Sequence, residues 1–145
     1  MKVELGPFPD DCDEQRLVDI HIDRWDTWNM DDTLALIILP MLKQLKETKH
    51  GSPWVDDEDV PHMPRQGRSS NESAQYDMFA SDEHDKMVWE NTHKRWEWVM
   101  DEMIWAFEML NSDEYYDGLQ YEREIHERIQ RATTLFGKYY RGLWD

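Results

Sequence analysis

The 145-residue sequence has few of the residues that mark several common classes of protein. Its one cysteine, Cys12, excludes an internal disulfide framework and is compatible with a reducing compartment. No apolar run is long enough to span a membrane, and the acidic N-terminal stretch does not resemble a signal peptide. Glycine-rich phosphate loops and nucleophile elbows are also missing. We therefore expect a soluble, intracellular protein, and the sequence gives no support for an enzyme.

Basic residues are half as numerous as acidic ones, with 16 Lys and Arg against 32 Asp and Glu and a net charge of −16. Such a field repels nucleic acid and anionic membranes, and it attracts basic partners. We therefore expect no direct binding to nucleic acid or to membranes. Large apolar side chains are nevertheless plentiful, since the chain has eight Trp, nine Met, six Tyr and four Phe. This length and composition predict one domain with a substantial core.

Residues 25–51 (WDTWNMDDTLALIILPMLKQLKETKHG) carry the clearest secondary-structure pattern in the chain. Their apolar side chains recur on one face of an α-helix, at Leu34, Ile37, Ile38, Met41, Leu42 and Leu45. Asn29 is a suitable N-cap, and Gly51 is placed to close the helix in a left-handed conformation. Pro40 is expected to bend the helix without ending it, because the apolar stripe continues beyond it.

Periodicity predicts three further elements. Residues 16–24 alternate between apolar and polar, which indicates a half-buried β-strand, and either residues 1–5 or a second subunit supplies its partner. A second long helix follows Ser81 and has the stripe Trp89, Trp96, Val99, Met100, Met103, Phe107 and Leu110. A third begins near Leu119 and buries Ile125, Ile129, Ala132, Leu135, Phe136 and Tyr139. We expect the second helix to form the centre of the core and the aromatic C-terminus to dock rather than to fray.

These elements predict a mainly α protein, with a three-helix core and a small N-terminal β-strand or hairpin element. Residues 1–145 are expected to form a single domain. Residues 62–81 are rich in Pro, Gly, Ser, Asn and Gln and show little apolar periodicity. We therefore predict a mobile excursion from the core over this segment.

Acidic and histidine side chains give only weak signals for metal binding. Asp19, His21 and Asp23 share one face of the predicted strand, but simple alternation explains their placement equally well. The run of four acids at residues 56–59 lacks the ligand spacing of a calcium loop and is interpreted as a solvated charged loop. Glu114 and Asp117 have a spacing used for magnesium, yet no matching pair lies on a neighbouring helix. No catalytic residue, metal site or cofactor is predicted, and a metal-dependent hydrolase is kept only as a second alternative.

Two small basic groups stand out against the acidic background. One lies at the end of the first helix, where Lys49 and His50 precede Trp54; the other is Lys138, Tyr139 and Arg141 near the C-terminus. A cation beside an aromatic ring is what a phosphate-and-base ligand needs. Lysines also favour helix ends, and aromatic residues favour the core, so each group has a structural explanation as well. The predicted ligand-binding set is Lys49, His50, Trp54, Lys138, Tyr139 and Arg141.

Several motifs resemble a family of small uncharacterised proteins from tailed bacteriophages. The similarity rests on WNMDDTLA, KHGSPWVDDEDVP and FGKYYRGLWD, which occur together and in this order, with KRWEWVMDEMIWAFEML between the last two. In the family the position of Asp32 is often His. The resemblance implies no activity. It implies a phage product that acts in the cytoplasm of a bacterial host as an accessory protein.

These observations lead to a hypothesis and two alternatives. The first is a non-catalytic accessory binding protein that counters host defence or redirects the host, by sequestering a small nucleotide-like signalling molecule. The alternative is an acidic nucleic-acid mimic that binds and inhibits a host protein; the second alternative is the metal-dependent hydrolase. Interleaved Trp, Tyr and Lys or Arg favour an aromatic-lined pocket for a nucleotide-like ligand, whereas rows of carboxylates on long helices favour the nucleic-acid mimic. A homo-oligomer is left open.

Overall fold

The structure is a computed structural model that describes residues 1–9, 14–64 and 82–144, with the backbone alone over 82–85. Two strands, β1 (Lys2–Leu5) and β2 (Val18–His21), precede the helices α1 (Met30–Thr48), α2 (Asp82–Leu110), α3 (Asp113–Asp117) and α4 (Arg123–Lys138). Short 3-10 turns occupy Arg24–Thr27, Leu119–Tyr121 and Tyr140–Gly142. The protein is mainly helical with a small N-terminal sheet, as predicted. The last long helix begins at Arg123, a few residues later than expected, because α3 and a 3-10 turn take up the preceding segment.

The two strands form an antiparallel hairpin, which confirms residues 1–5 as the partner of the predicted strand. The register pairs Val3 with Ile20 and Leu5 with Val18, so these four side chains share one face and polar side chains occupy the other. All eight strand residues are exposed, and in the described chain the strands pack only on each other. The prediction of a half-buried strand is therefore wrong. Alternation sorts side chains between two faces, but it does not show that anything covers the apolar one.

Helix α2 is the centre of the core, as predicted, because it packs against both α1 and α4. Its residues Trp96, Val99, Met100, Met103 and Ala106 are fully buried. From the flanking helices and the loop at residues 51–64, the core receives Ala35, Leu42, Val55, Val60, Ile129, Ala132, Leu135 and Tyr139. Burial of this apolar surface is the main term that holds the three long helices together.

The buried face of α1 is rotated from the predicted stripe. Ala35 and Leu42 are buried, whereas Leu34 and Met41 remain 42% and 65% exposed. The apolar face of α1 is wider than the part of it that α2 covers. Hydrophobicity alone therefore does not show which of its apolar residues contact α2. The helix continues through Pro40, as predicted.

The C-terminal tail, residues 139–144, docks as predicted, and the surface it contacts is the loop at residues 51–64. Gly142 contacts Pro53, and the indole of Trp144 lies against Gly51. The predicted left-handed closure at Gly51 is wrong, because α1 ends at Thr48 and the backbone of Gly51 does not take a positive φ. The glycine instead makes room for the indole. Of the predicted excursion at residues 62–81, residues 65–81 lie outside the described residues, and Met63 packs partly on the core.

Candidate functional site

The basic end of α1 faces carboxylates of α2. Lys49 is almost fully buried, with 3% of its side chain exposed, and its Nζ lies 2.5 Å from Oε1 of Glu97. Lys46 pairs with Asp101, and Lys43 Nζ lies 2.6 Å from Oε1 of Glu108, as the antiparallel course of the two helices requires. The hydrogen bond from Lys49 holds the pKa of Glu97 below its usual value. The positive charges of this helix end are therefore already neutralised within the protein.

Lys138, at the end of α4, is surrounded by the acidic run at residues 56–59. Its Nζ lies 2.7 Å from Asp59, 2.8 Å from Asp56 and 3.2 Å from Glu58. Burial alone lowers the pKa of this ammonium, but the hydrogen bonds to the three carboxylates raise it above its ordinary value. The interpretation of this run as a solvated loop is correct only in part, because Glu58 is 80% exposed whereas Asp59 is 16% exposed and paired. Several carboxylates meet one ammonium and hold the loop onto α4.

Tyr139 completes the same network from inside the core. Its hydroxyl donates to Oδ2 of Asp59 at 2.5 Å and accepts from the backbone N–H of Asp56 at 2.9 Å. Burial, followed by the hydrogen bond with Asp59, raises the pKa of this phenol above its ordinary value. The side chain is 8% exposed, and its ring contacts Trp96 edge to face at 5.8 Å. Tyr139 is thus a core residue whose polar end fixes the acidic loop.

Arg95 is the buried charge that the sequence analysis missed. Its guanidinium is 1% exposed and lies 2.6 Å from Oδ1 of Asp57, and it also donates to the carbonyl oxygens of Pro64 at 2.7 Å and Val55 at 3.2 Å. Arginine is rarely fully buried without such partners. The available signal was its position four residues before Val99, on the buried face of α2. Arg95 and Lys138 therefore both hold the loop through ion pairs with its carboxylates.

The remaining predicted ligand-binding residues lie at the periphery of this region. Trp54 is 39% exposed, His50 and Arg141 are exposed, and Arg141 forms no ion pair with another described residue. The structure does bring the end of α1 and the C-terminal tail together, since Gly51 contacts Trp144. The ammonium of Lys49, however, pairs with a carboxylate of α2, and the ammonium of Lys138 pairs with the acidic run at residues 56–59. The predicted pocket for a phosphate-and-base ligand stays a prediction. An anion bound there would have to compete with the carboxylates that already pair with Lys49 and Lys138.

The opposite end of the bundle, where α1 begins and α2 ends, is acidic and aromatic. We call it the acidic end and define it by the exposed carboxylates Asp31, Asp113, Glu114, Asp117, Glu122 and Glu124. Within the described ranges, none of these six forms an ion pair with another residue. The aromatic side chains of this end are also exposed, by 46% to 85%: Trp25, Trp28, Tyr116 and Tyr121.

The segments of the acidic end are held together by contacts across the bundle. Ser112 caps α3 by accepting from the N–H of Tyr115 at 3.2 Å, and Tyr115 packs against the core residues Ala106 and Ile129. Burial, followed by the effect of the Asp32 carboxylate, raises the pKa of Tyr116 to about 12. Contacts between α3, the following 3-10 turn and the start of α4 therefore place Asp113, Glu114, Asp117, Glu122 and Glu124 on neighbouring segments of one folded surface.

The geometry gives little support to the candidate metal ligands considered in the sequence analysis. Lys2 Nζ lies 2.9 Å from Asp19, and His21 Nε2 lies 3.2 Å from Oδ1 of Asp23. Among the described side chains, those of residues 1–9, 14–64 and 86–144, no group of three or more His, Cys, Asp or Glu could hold a metal ion. In the same residues, no helix is both long enough and apolar enough to cross a membrane.

Comparison with family models, curated proteins and solved structures gives no match for this chain. The resemblance to the phage family therefore stays a hypothesis, and function has to be inferred from the arrangement of the side chains themselves.

Proposed function

We propose that this protein is a non-catalytic binding protein that occupies a basic surface of a partner protein, as a mimic of nucleic acid. The observation that carries the proposal is the acidic end, a folded surface with six exposed carboxylates that other described residues leave unpaired. Within a net charge of −16, these groups create a field that steers a basic partner into place. Exposed aromatic side chains among the carboxylates supply apolar contact area once the partner has docked.

Internal pairing of the basic residues supports this proposal over the capture of a nucleotide. Lys49 and Lys138, the two ammonium groups that a phosphate would need, contact one and three carboxylates respectively. A phosphate at either position would have to displace acids that are part of the same folded network. The acidic end needs no such rearrangement, because its charges already face the solvent.

The setting of this activity follows from the sequence resemblance and is part of the proposal. A phage accessory protein acts inside the bacterial cytoplasm, where basic surfaces that bind DNA or RNA are abundant. The partner is then a host protein that binds nucleic acid, and occupation of its basic site excludes the natural ligand. This would counter host defence or redirect the host without any chemical reaction.

The experiment that tests this proposal is displacement by DNA. The protein is immobilised and exposed to a bacterial extract at low salt. Bound proteins are then released either with double-stranded oligonucleotide or with sodium chloride, and the two eluents are compared at equal concentrations of charge. We expect the oligonucleotide to release the bound protein at a concentration at which the salt does not. Release by both at the same concentration of charge would show unspecific ion exchange and would contradict the proposal.

A matched pair of variants locates the binding surface. The acidic-end variant carries Glu114→Gln and Glu122→Gln, and the control variant carries Glu47→Gln and Glu90→Gln, all at exposed positions. Both variants have the same net charge. We expect the acidic-end variant to retain much less of the bound protein than the control variant, because the charges it loses lie in the proposed interface. Equal retention would place the interface elsewhere.

A further inference from the structure

An open cleft lies at the edge of the acidic end, beside the first turn of α1. Its volume is about 370 Å³, and it is lined by Trp25, Trp28, Asn29, Asp32, Thr33 and Leu36. The two indoles are neighbours, with ring centroids 5.3 Å apart and planes inclined by 35°. They are 68% and 70% exposed, and Leu36 is 65% exposed. Exposed indoles grouped around a cleft mark a binding surface more often than a packing defect.

The chemistry of the lining selects a cation. The face of an indole ring attracts a positive charge, and a carboxylate beside it adds a direct ionic partner. Asp32 supplies that carboxylate, which lines the cleft between the first turn of α1 and the two indoles. The ring of Trp25 already has a cation near it, since the guanidinium carbon of Arg24 lies 5.6 Å from its centroid. The carboxylates of the flanking turn, those of Asp23 and Asp26, are already paired with the N-terminal ammonium at 3.3 and 3.0 Å, so Asp32 is the carboxylate that the lining offers to a cation.

We infer that this cleft binds an arginine side chain of the basic partner, with the guanidinium against the exposed indoles and near the carboxylate of Asp32. The inference rests on the proposed function and adds to it the group that is recognised. Arginine fits better than lysine, because its planar guanidinium stacks on aromatic rings and can form two parallel hydrogen bonds to a carboxylate. A second copy of this chain fits less well, because two molecules of charge −16 repel each other.

The test uses a hexa-arginine peptide and isothermal titration calorimetry at low salt. Trp28→Ala removes one indole without changing charge, and Asp32→Asn removes the carboxylate. We expect each to weaken binding about fivefold to tenfold. Trp89→Ala, which removes a 62% exposed indole of α2, and Glu47→Gln, which removes an exposed carboxylate of α1, are the matched controls and should bind as the wild type does. Thermal melting confirms that every variant is folded.

The possible outcomes separate the cleft from the proposed function. Equal binding of hexa-arginine by the wild type, Trp28→Ala and Asp32→Asn would refute the cleft and leave the acidic surface as the binding element. Failure of the wild type to bind hexa-arginine at all would contradict the proposed function as well. Equally tight binding of hexa-lysine would refute the preference for arginine. Dissociation of an oligomer by Trp28→Ala in sedimentation velocity would show that a second copy occupies the cleft, and would overturn the assignment.

Discussion

Gly51 lies directly against the indole of Trp144, and a Cβ atom added to this glycine would come within 2.9 Å of Cζ3 of the ring. This contact joins the segment that follows α1 to the C-terminal tail. A second close contact joins the same two segments, because a Cβ on Gly142 would come within 3.0 Å of Pro53. The two glycines therefore let the tail and the loop at residues 51–64 approach more closely than other residues would allow.

Gly51→Ala tests this contact. We expect the substitution to lower the free energy of unfolding by about 1 kcal/mol, a fall in Tm of roughly 2–4 °C, because the indole has to move. In a Trp144→Ala background the same substitution should be neutral or slightly stabilising, since Ala restricts the unfolded chain and no longer meets the ring. The measurement is a double-mutant cycle by thermal denaturation. Additive effects of the two substitutions would contradict the contact.

The buried guanidinium of Arg95 allows a stability prediction with an internal control. Arg95→Ala should cost about 3 kcal/mol, because it opens a cavity and leaves the carbonyl oxygens of Val55 and Pro64 without their donor. Arg123→Ala should change stability by less than about 0.5 kcal/mol, since this arginine is 89% exposed in its pair with Glu127. Urea denaturation of both variants gives the comparison. A similar loss in both would mean that Arg95 is not an anchor.

The exposed hairpin gives a prediction opposite to the one that its sequence pattern favours. Ile20→Asp should change the free energy of unfolding by less than about 0.5 kcal/mol, because this side chain is 51% exposed. Val99→Asp places a charge at a fully buried position and should cost more than about 3 kcal/mol. Thermal melting of the two variants is sufficient. A large destabilisation by Ile20→Asp would show that the apolar face of the hairpin is packed in solution.

Stability at acid pH should depend on the ion pair between Lys49 and Glu97. The hydrogen bond from Lys49 lowers the pKa of Glu97 in the folded state from its ordinary value of 4.5. Its contribution to stability is therefore complete above pH 4.5 and is lost as the pH falls through the lower, folded-state pKa. The difference in Tm between the wild type and Glu97→Gln should shrink between about pH 5 and about pH 3. Glu90→Gln, at an exposed position, should show a difference that is the same throughout. A constant difference for Glu97→Gln would contradict the pairing.

The sequence predicted the elements better than their contacts. Apolar residues that recur about every 3.6 positions located the long helices, because a helix buried on one face requires this spacing. The stripes of α2 and α4 were also correct over most of their length, from Trp96 to Phe107 and from Ile129 to Tyr139. The stripe of α1 was correct only in part. Ile38, Leu42 and Leu45 do pack in the core, but the small Ala35 is buried whereas the larger Met41 faces the solvent. Residue type alone does not distinguish a covered apolar side chain from an uncovered one.

The charged residues were the least predictable, since their roles depend on partners distant in sequence. Lys138 contacts the acidic run about 80 residues away, and Arg95 pairs with Asp57 across 38 residues. No local pattern encodes either pairing. The acids of residues 56–59 and of the acidic end look alike in the sequence, yet the first set pairs with Arg95 and Lys138 whereas the second faces the solvent. Only the fold separates carboxylates that hold the structure from carboxylates that are free to bind.

The most direct test of the acidic binding surface is the salt dependence of affinity for the partner protein that the oligonucleotide displaces. The dissociation constant is measured over a range of sodium chloride concentrations for the wild type, the acidic-end variant and the control variant. We predict that the wild type and the control variant lose affinity steeply and in parallel as salt rises, while the acidic-end variant binds more weakly and depends less on salt. Affinity that is independent of salt, or identical curves for the two variants, would contradict the proposed function.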